Sequence, residues 1–254
     1  MTARNGTARM AEEGGKAPQG PSGTERRRPR RRGRWLKRLV LALLLLALVP
    51  LLLIPIYGAV NPPVSSLMLI KRFAGVPIEK RWVPLADISP NLVNAVVMAE
   101  DAKFCSHRGI DFGELKAVLE EARRGGELRG ASTITMQTVK NLFLWPGRSY
   151  LRKALEFPLA LYTDLVLPKR RIAEIYFNIV EWDRGVYGAE AAARHYFGKP
   201  ASALSRAEGA RLAATLPAPL ERNAARPGPV TSDLARLFAR RGAAAGPYVG
   251  CLAQ

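Results

Sequence analysis

The sequence predicts a mainly α fold, preceded by a single membrane-spanning helix. Three observations carry that prediction. One is a run of 22 uncharged residues, Leu39 to Val60. Another is apolar spacing of three and four residues through most of the chain after Asn91, the period of a helix with one buried face. The third is the scarcity of alternating, β-branched segments.

The elements follow in order. Residues 1–34 are rich in Gly, Pro, Arg and Ala without apolar periodicity, and read as a disordered basic tail. Residues 35–60 read as a signal-anchor helix, because about 20 apolar residues span a bilayer. Its core exceeds the roughly 7–15 residues of a cleaved signal peptide. Pro50 and Pro55 would kink it, and Trp35 and Tyr57 suit its two interfaces. Residues 61–90 read as a linker and membrane-proximal segment. Helices are expected over about 90–103, around Leu115–Ala122 with a stop at Gly125 and Gly126, and over Thr133–Leu144. A fourth begins near Ser149 and should bend or break at Pro158. A fifth covers about 169–181, and AEAAARHYF is a sixth. Ser205 and Glu208 form a capping box for a helix reaching Thr215. Residues 91–220 form the main domain, and 221–254 a C-terminal extension.

The formal charge is +18. Residues 1–38 hold 12 Lys/Arg against 3 Asp/Glu, and the rest 27 against 18. Nine basic residues fall in 26–38 alone, which places the N-terminus in the cytoplasm and residues 61–254 across the membrane. A soluble nucleic-acid binder would leave the apolar run unexplained, so no nucleic-acid partner is expected. Two cysteines, Cys105 and Cys251, have no framework spacing and are expected to be unpaired.

Four places could carry chemistry. In Asn91–Asp101 the apolar stripes Leu92/Val96 and Val93/Val97 continue into Glu100 and Asp101. Burial there would raise a carboxyl's proton affinity and suit a general base; alternatively the helix simply emerges into solvent. GASTITMQTVKNLFL, residues 130–144, offers a helix N-terminus that could attract an anion, with Lys140 two turns on, or an ordinary Ser/Thr cap. Arg148, Arg152, Lys153 and Glu156 make either a surface ion pair or a cationic pocket for a diphosphate. His107 and His195, the only histidines, lack the spacing of a zinc site.

The ordered segments EDAKFCSHRGID, GASTITMQ, RKALE, KRRIAEIYFN and GVYGAEAAARHYFGK resemble the peptidoglycan glycosyltransferases, in particular the monofunctional, membrane-anchored kind. The likeness covers about residues 61–220, and the rest of the chain leaves no room for a transpeptidase domain. It implies a lysozyme-like helical glycosyltransferase domain with a small membrane-proximal subdomain, in the bacterial inner membrane. The implied substrates are lipid II and the growing glycan strand, joined by β-1,4 linkage with loss of undecaprenyl diphosphate. A divalent cation such as Mg2+ and other cell-wall or division proteins are implied companions, and no organic cofactor is expected. By position, the resemblance makes Glu100 the base and Glu156 the second carboxylate, for metal, diphosphate or positioning. Asp101, Ser132, Gln137, Lys140, Arg148, Arg152 and Lys153 become substrate-binding. Met136 stands where the motif usually has Gln, which suggests a lost or displaced substrate contact. Cys105 reads as a packing substitution. A glycan-cleaving enzyme and a non-catalytic anchored scaffold are the alternatives; the STIT and RKxxE segments favour the polymerase over the first, and the second would leave function intact in Glu100→Gln.

Overall fold

The computed structural model describes residues 31–125, 130, 132–147 and 149–253. The basic tail through residue 30 and Arg148 therefore lie outside the described residues. The chain divides into two units, 1–43 and 44–254. Helix α1, Arg31–Ile56, crosses that division, and its Arg34–Ile56 stretch, whose most apolar 18-residue window has a mean hydropathy of 3.1, is long and apolar enough to span a membrane.

Residues 44–254 are helical, as the periodicity predicts. After α1 come α2 (Ser66–Phe73), α3 (Pro90–Glu100), α4 (Phe112–Arg123), α5 (Ile134–Phe143), α6 (Tyr150–Val166), α7 (Lys169–Ile179), α8 (Ala189–Phe197), α9 (Arg206–Thr215) and α10 (Pro229–Ala243). The sheet is small. Strands β1 (Glu79–Lys80), β2 (Glu181–Asp183) and β3 (Val186–Tyr187) lie in the order β1-β3-β2, with β1 parallel and β2 antiparallel to β3.

Helix α3 is the central post. Ser89 caps it by accepting from the Asn91 N–H, and Pro90 takes the first turn, where no donor is needed. Leu92, Val93, Ala95, Val96 and Val97 are all buried. Two glycines let neighbours come close: a Cβ on Gly209 of α9 would lie 2.8 Å from Leu92 N, and one on Gly242 of α10 3.1 Å from Ala95 N. α9 opens on the expected capping box, Ser205 with Glu208. The core continues through Phe104, Tyr176, Phe177, Trp182 and Tyr187, all fully buried.

Three expectations change. α6 runs unbroken through Pro158. The proline removes one hydrogen bond, to Ala154, but both residues lie on the exposed face, so the freed carbonyl meets solvent and the helix need not split. Tyr57 does not face outward: it is buried and stacked on Phe143, ring centroids 6.2 Å apart. The cysteines are not free. Cys105 and Cys251 form a disulfide with Cα atoms 5.5 Å apart, as α10 and two 3-10 turns bring the C-terminal segment back to the loop after α3. No sequence spacing could signal a pair separated by 146 residues.

The end of α1 is bedded in the domain. Pro55 has no N–H, which leaves the Leu51 carbonyl without its helical donor; the Tyr162 hydroxyl donates to it at 3.0 Å. Arg171 donates to the Tyr57 and Val60 carbonyls at 2.8 and 3.0 Å and lies over Trp82.

A bridge closing so long a loop restricts the unfolded chain strongly. Cys251→Ser should lower stability by about 2–4 kcal/mol in denaturant melts of the detergent-solubilised protein. A thiol reductant should destabilise the parent to the same extent and leave the variant unchanged.

Candidate active site

Glu100 is the last residue of α3 and Asp101 its C-cap. The chain does not emerge into solvent there: Asp101 is buried and Glu100 half-buried. The Asp101 carboxylate accepts from the His107 ring at 2.9 and 3.0 Å and from the Ile134 N–H at 3.0 Å. That amide opens α5, where unpaired N–H groups and the helix dipole favour a negative charge. Thr133 caps the same helix through its hydroxyl, which accepts from Met136 N and donates to the Gly109 carbonyl at 2.6 Å. Gly109 has φ +72°, and a Cβ there would lie 2.5 Å from the Ala160 carbonyl oxygen. Phe104, His107, Gly109 and Asp111, the last capping α4, thus form the frame of the loop.

This frame points Glu100 at α5. Its carboxylate accepts from Gln137 Nε2 at 2.8 Å, and Tyr176, fully buried, reaches the other side of that amide with its hydroxyl 3.4 Å from Oε1. Burial raises the Glu100 pKa above the usual carboxylate range. The Gln137 bond and the Lys140 charge pull it back, while Asp101 adds to the rise. Lys140 lies one turn beyond Gln137. Among the described residues its ammonium is within ion-pair distance of no carboxylate. Burial, then the nearby Arg152 charge, lowers its pKa.

α6 supplies the second carboxylate. Glu156 is 2% exposed, and its two oxygens are both taken: Arg152 donates to one, Lys153 to the other at 3.1 Å. Lys153 also donates to Ser132 Oγ at 2.7 Å. Burial, then the charges of Arg152 and Lys140, brings the Lys153 pKa down to about 8. The surface ion pair allowed by the spacing is therefore a buried network. It ties Ser132, at the mouth of α5, to the cations of α6.

Two cavities flank this site. One, of about 210 Å³, is lined by Glu100, Asp101, Lys103, Ser132, Thr133 and Arg241, among others. The other, of about 380 Å³, has Lys71, Gln137, Lys140, Trp145, Arg152 and Glu181 in its wall. The Glu100–Gln137 bond joins the walls of the two. A nucleophile entering the first would meet a carboxylate of raised proton affinity, and an anion in the second would meet three cations.

The structure thus gathers Glu100, Asp101, Ser132, Gln137, Lys140, Arg152, Lys153 and Glu156 around one cleft. Met136 is corrected. Its side chain is 1% exposed, packed with Ile110, Val139 and Ala160, so its position does not present a side chain to a substrate. Lys71 and Arg241 line the cavities without belonging to any recognised segment, and Tyr176, inside the recognised KRRIAEIYFN segment but not singled out there, backs the Gln137 amide that holds Glu100. Both Glu156 oxygens are engaged by cations, and no group of three or more His, Cys, Asp or Glu that could hold an ion by themselves occurs among the described residues.

Asp101→Ala should lower stability by about 2 kcal/mol or more, because it strands the buried Ile134 N–H and the His107 ring. Unfolding in denaturant checks this, with Asp101→Asn, which can still accept one bond, expected in between.

A model of the transglycosylase family matches residues 68–241. The biosynthetic peptidoglycan transglycosylase of Agrobacterium fabrum is 51% identical over 217 residues, 85% of this chain and 96% of the relative. That of Brucella suis is 52% identical over 223 residues, 86% and 99% of the two chains, and that of Mesorhizobium japonicum is 51% identical over 223 residues. The helical fold, the carboxylate at the end of α3 and the cations of α5 and α6 all lie within the matched span, and the chain belongs to the transglycosylase family.

Proposed function

We propose that this protein polymerises lipid II into β-1,4-linked glycan strands, releasing undecaprenyl diphosphate, as a peptidoglycan glycosyltransferase of cell-wall synthesis. The observation that carries this reading is the position of Glu100, a carboxylate of raised proton affinity between one cavity open to an acceptor and another lined by cations.

The steps follow from that arrangement. The 4-hydroxyl of the incoming GlcNAc lies in the Glu100 cavity. As its oxygen attacks the anomeric carbon of the terminal MurNAc, Glu100 takes the proton. The new C–O bond forms opposite the bond to the diphosphate, which breaks, so the linkage inverts from α to β. Charge grows on the leaving diphosphate, and Lys140 and Arg152, in the wall of the second cavity, meet it in fixed positions, with Lys153 adding its charge from the Glu156 network beside them, where such stabilisation costs little reorganisation. Gln137 orients the base. Glu156 holds Arg152 and Lys153 in place, and Ser132 positions Lys153; this favours positioning over metal binding for Glu156. Asp101 acts through the loop geometry. A divalent cation such as Mg2+, where it takes part, accompanies the substrate diphosphate, the usual way that ion is held beside phosphates.

The single apolar helix is consistent with a one-pass membrane anchor. We place its N-terminus in the cytoplasm and the catalytic domain outside the inner membrane. Nine basic residues in 26–38 support this orientation. So does the Cys105–Cys251 disulfide, since such bonds persist in oxidising compartments.

The direct test incubates the purified protein with labelled lipid II and Mg2+. Strands should lengthen; cleavage of preformed glycan without growth would overturn the assignment. Glu100→Gln should cut polymerisation by about 100-fold or more, the usual contribution of a general base. It should not cost stability at neutral pH. Because the folded-state pKa of Glu100 lies above the unfolded one, ionisation weakens the fold as pH rises through that interval. The Gln variant should therefore melt at or above the parent at pH 7, and the difference should vanish below the ordinary carboxylate range.

The pH profile should be bell-shaped. Rate falls on the acid side as Glu100 is protonated, at a pH above the usual carboxylate range, and on the alkaline side as Lys153 loses its charge near about 8. Lys153→Arg should move the alkaline limb upward and leave the acid limb in place.

A further inference from the structure

The last turn of α10 brings a cation to the Glu100 cavity that the mechanism above does not use. We propose that Arg241 is a specificity residue of the acceptor side, receiving a carboxylate from the peptide stem of the incoming sugar. This rests on the glycosyltransferase reading.

The placement is built. Gly242 sets α10 against α3, close enough that a Cβ would lie 3.1 Å from Ala95 N and 3.2 Å from its Cα. Ala95 is five residues before Glu100, about 7.5 Å along the helix axis, so the neighbouring Arg241 can reach the level of the base. Beyond α10 the chain is fastened by Cys251 to Cys105, on the loop that Glu100 and Asp101 begin. α10 is therefore held at the cleft by packing along its length and by a covalent bond just after it.

The charges around the cavity leave Arg241 available. Asp101 is occupied by His107 and Ile134 N, and Glu100 by Gln137. Asp111 caps α4 and pairs with Lys103 at 3.2 Å; Lys103 also lies 3.9 Å from Glu114. Among the described residues Arg241 is within ion-pair distance of no carboxylate, and it is exposed in the cavity wall. A guanidinium so placed presents a planar fork that matches a carboxylate through two parallel hydrogen bonds. The neighbouring acids repel a loosely placed anion, so the fork selects one that is held beside it. The diphosphate has its own cations in the other cavity, so the anion left for Arg241 is a carboxylate of the stem.

The test compares initial rates of the full-length, detergent-solubilised protein on lipid II with its stem carboxyls all free or all amidated. Arg241→Ala should raise KM for the free-acid substrate about five- to tenfold, the scale of a partly exposed charged hydrogen bond, with kcat within about twofold. The amidated substrate should be used equally by parent and variant, and Arg241→Lys should recover part of the KM. Arg240→Ala, on the same turn but outside the cavity, should behave as the parent. Equal KM rises on both substrates would assign Arg241 to the diphosphate and overturn the carboxylate inference. An unchanged KM, or a loss confined to kcat, would overturn the binding role altogether. A parent that makes no strand from either substrate would remove the functional reading and this inference with it.

Discussion

Asp101 ends one helix and pins the start of another. Its carboxylate meets the Ile134 N–H at the mouth of α5 and the ring of His107 in the loop between, so three segments share a single buried acid. The geometry of the cleft depends on that junction. Glu100, one residue earlier, faces Gln137 and Lys140 because α3 and α5 are locked end to end. Thr133 and Gly109 complete the lock from the other side. A buried charge is costly unless its hydrogen bonds are met, and here the helix N-terminus meets them. The same features that stabilise the acid therefore fix the neighbouring Glu100.

The second half of the site follows a related logic with opposite sign. Four groups, Ser132, Lys153, Glu156 and Arg152, form a chain of donors and acceptors. One buried carboxylate holds two cations that would otherwise repel each other and Lys140. Removing either partner from such a network leaves uncompensated charge, whereas the intact set is tolerated. The cations are consequently rigid before any substrate arrives. That is the condition under which charge stabilisation helps a transition state more than a ground state.

Much of this was legible in the residues. The i, i+4 spacing that carried Leu92 and Val96 into Glu100 singled out that acid while leaving its burial open, and the Ser205–Glu208 box marked the start of α9. Spacing could not divide the roles of adjacent acids. Whether Asp101 faces a substrate or a backbone amide depends on α5, 33 residues away. Nor could it say which way Met136 points, since Gln137 beside it faces the cleft while Met136 turns into the core. The disulfide, the docking of α10 and the reach of Arg241 lie in contacts between distant segments. Pro158 misled for a simpler reason: the break it threatens is harmless on an exposed face.

The bedded end of α1 has a mechanical consequence. Tyr162, which completes the bonding of the Leu51 carbonyl, sits on α6, the helix that carries Arg152, Lys153 and Glu156. The terminal turns of the apolar helix and the cation cluster thus share one helix as their support. A pull on the last turns of that apolar helix would therefore be felt first at α6 and the cations it carries, rather than absorbed by a loose connection.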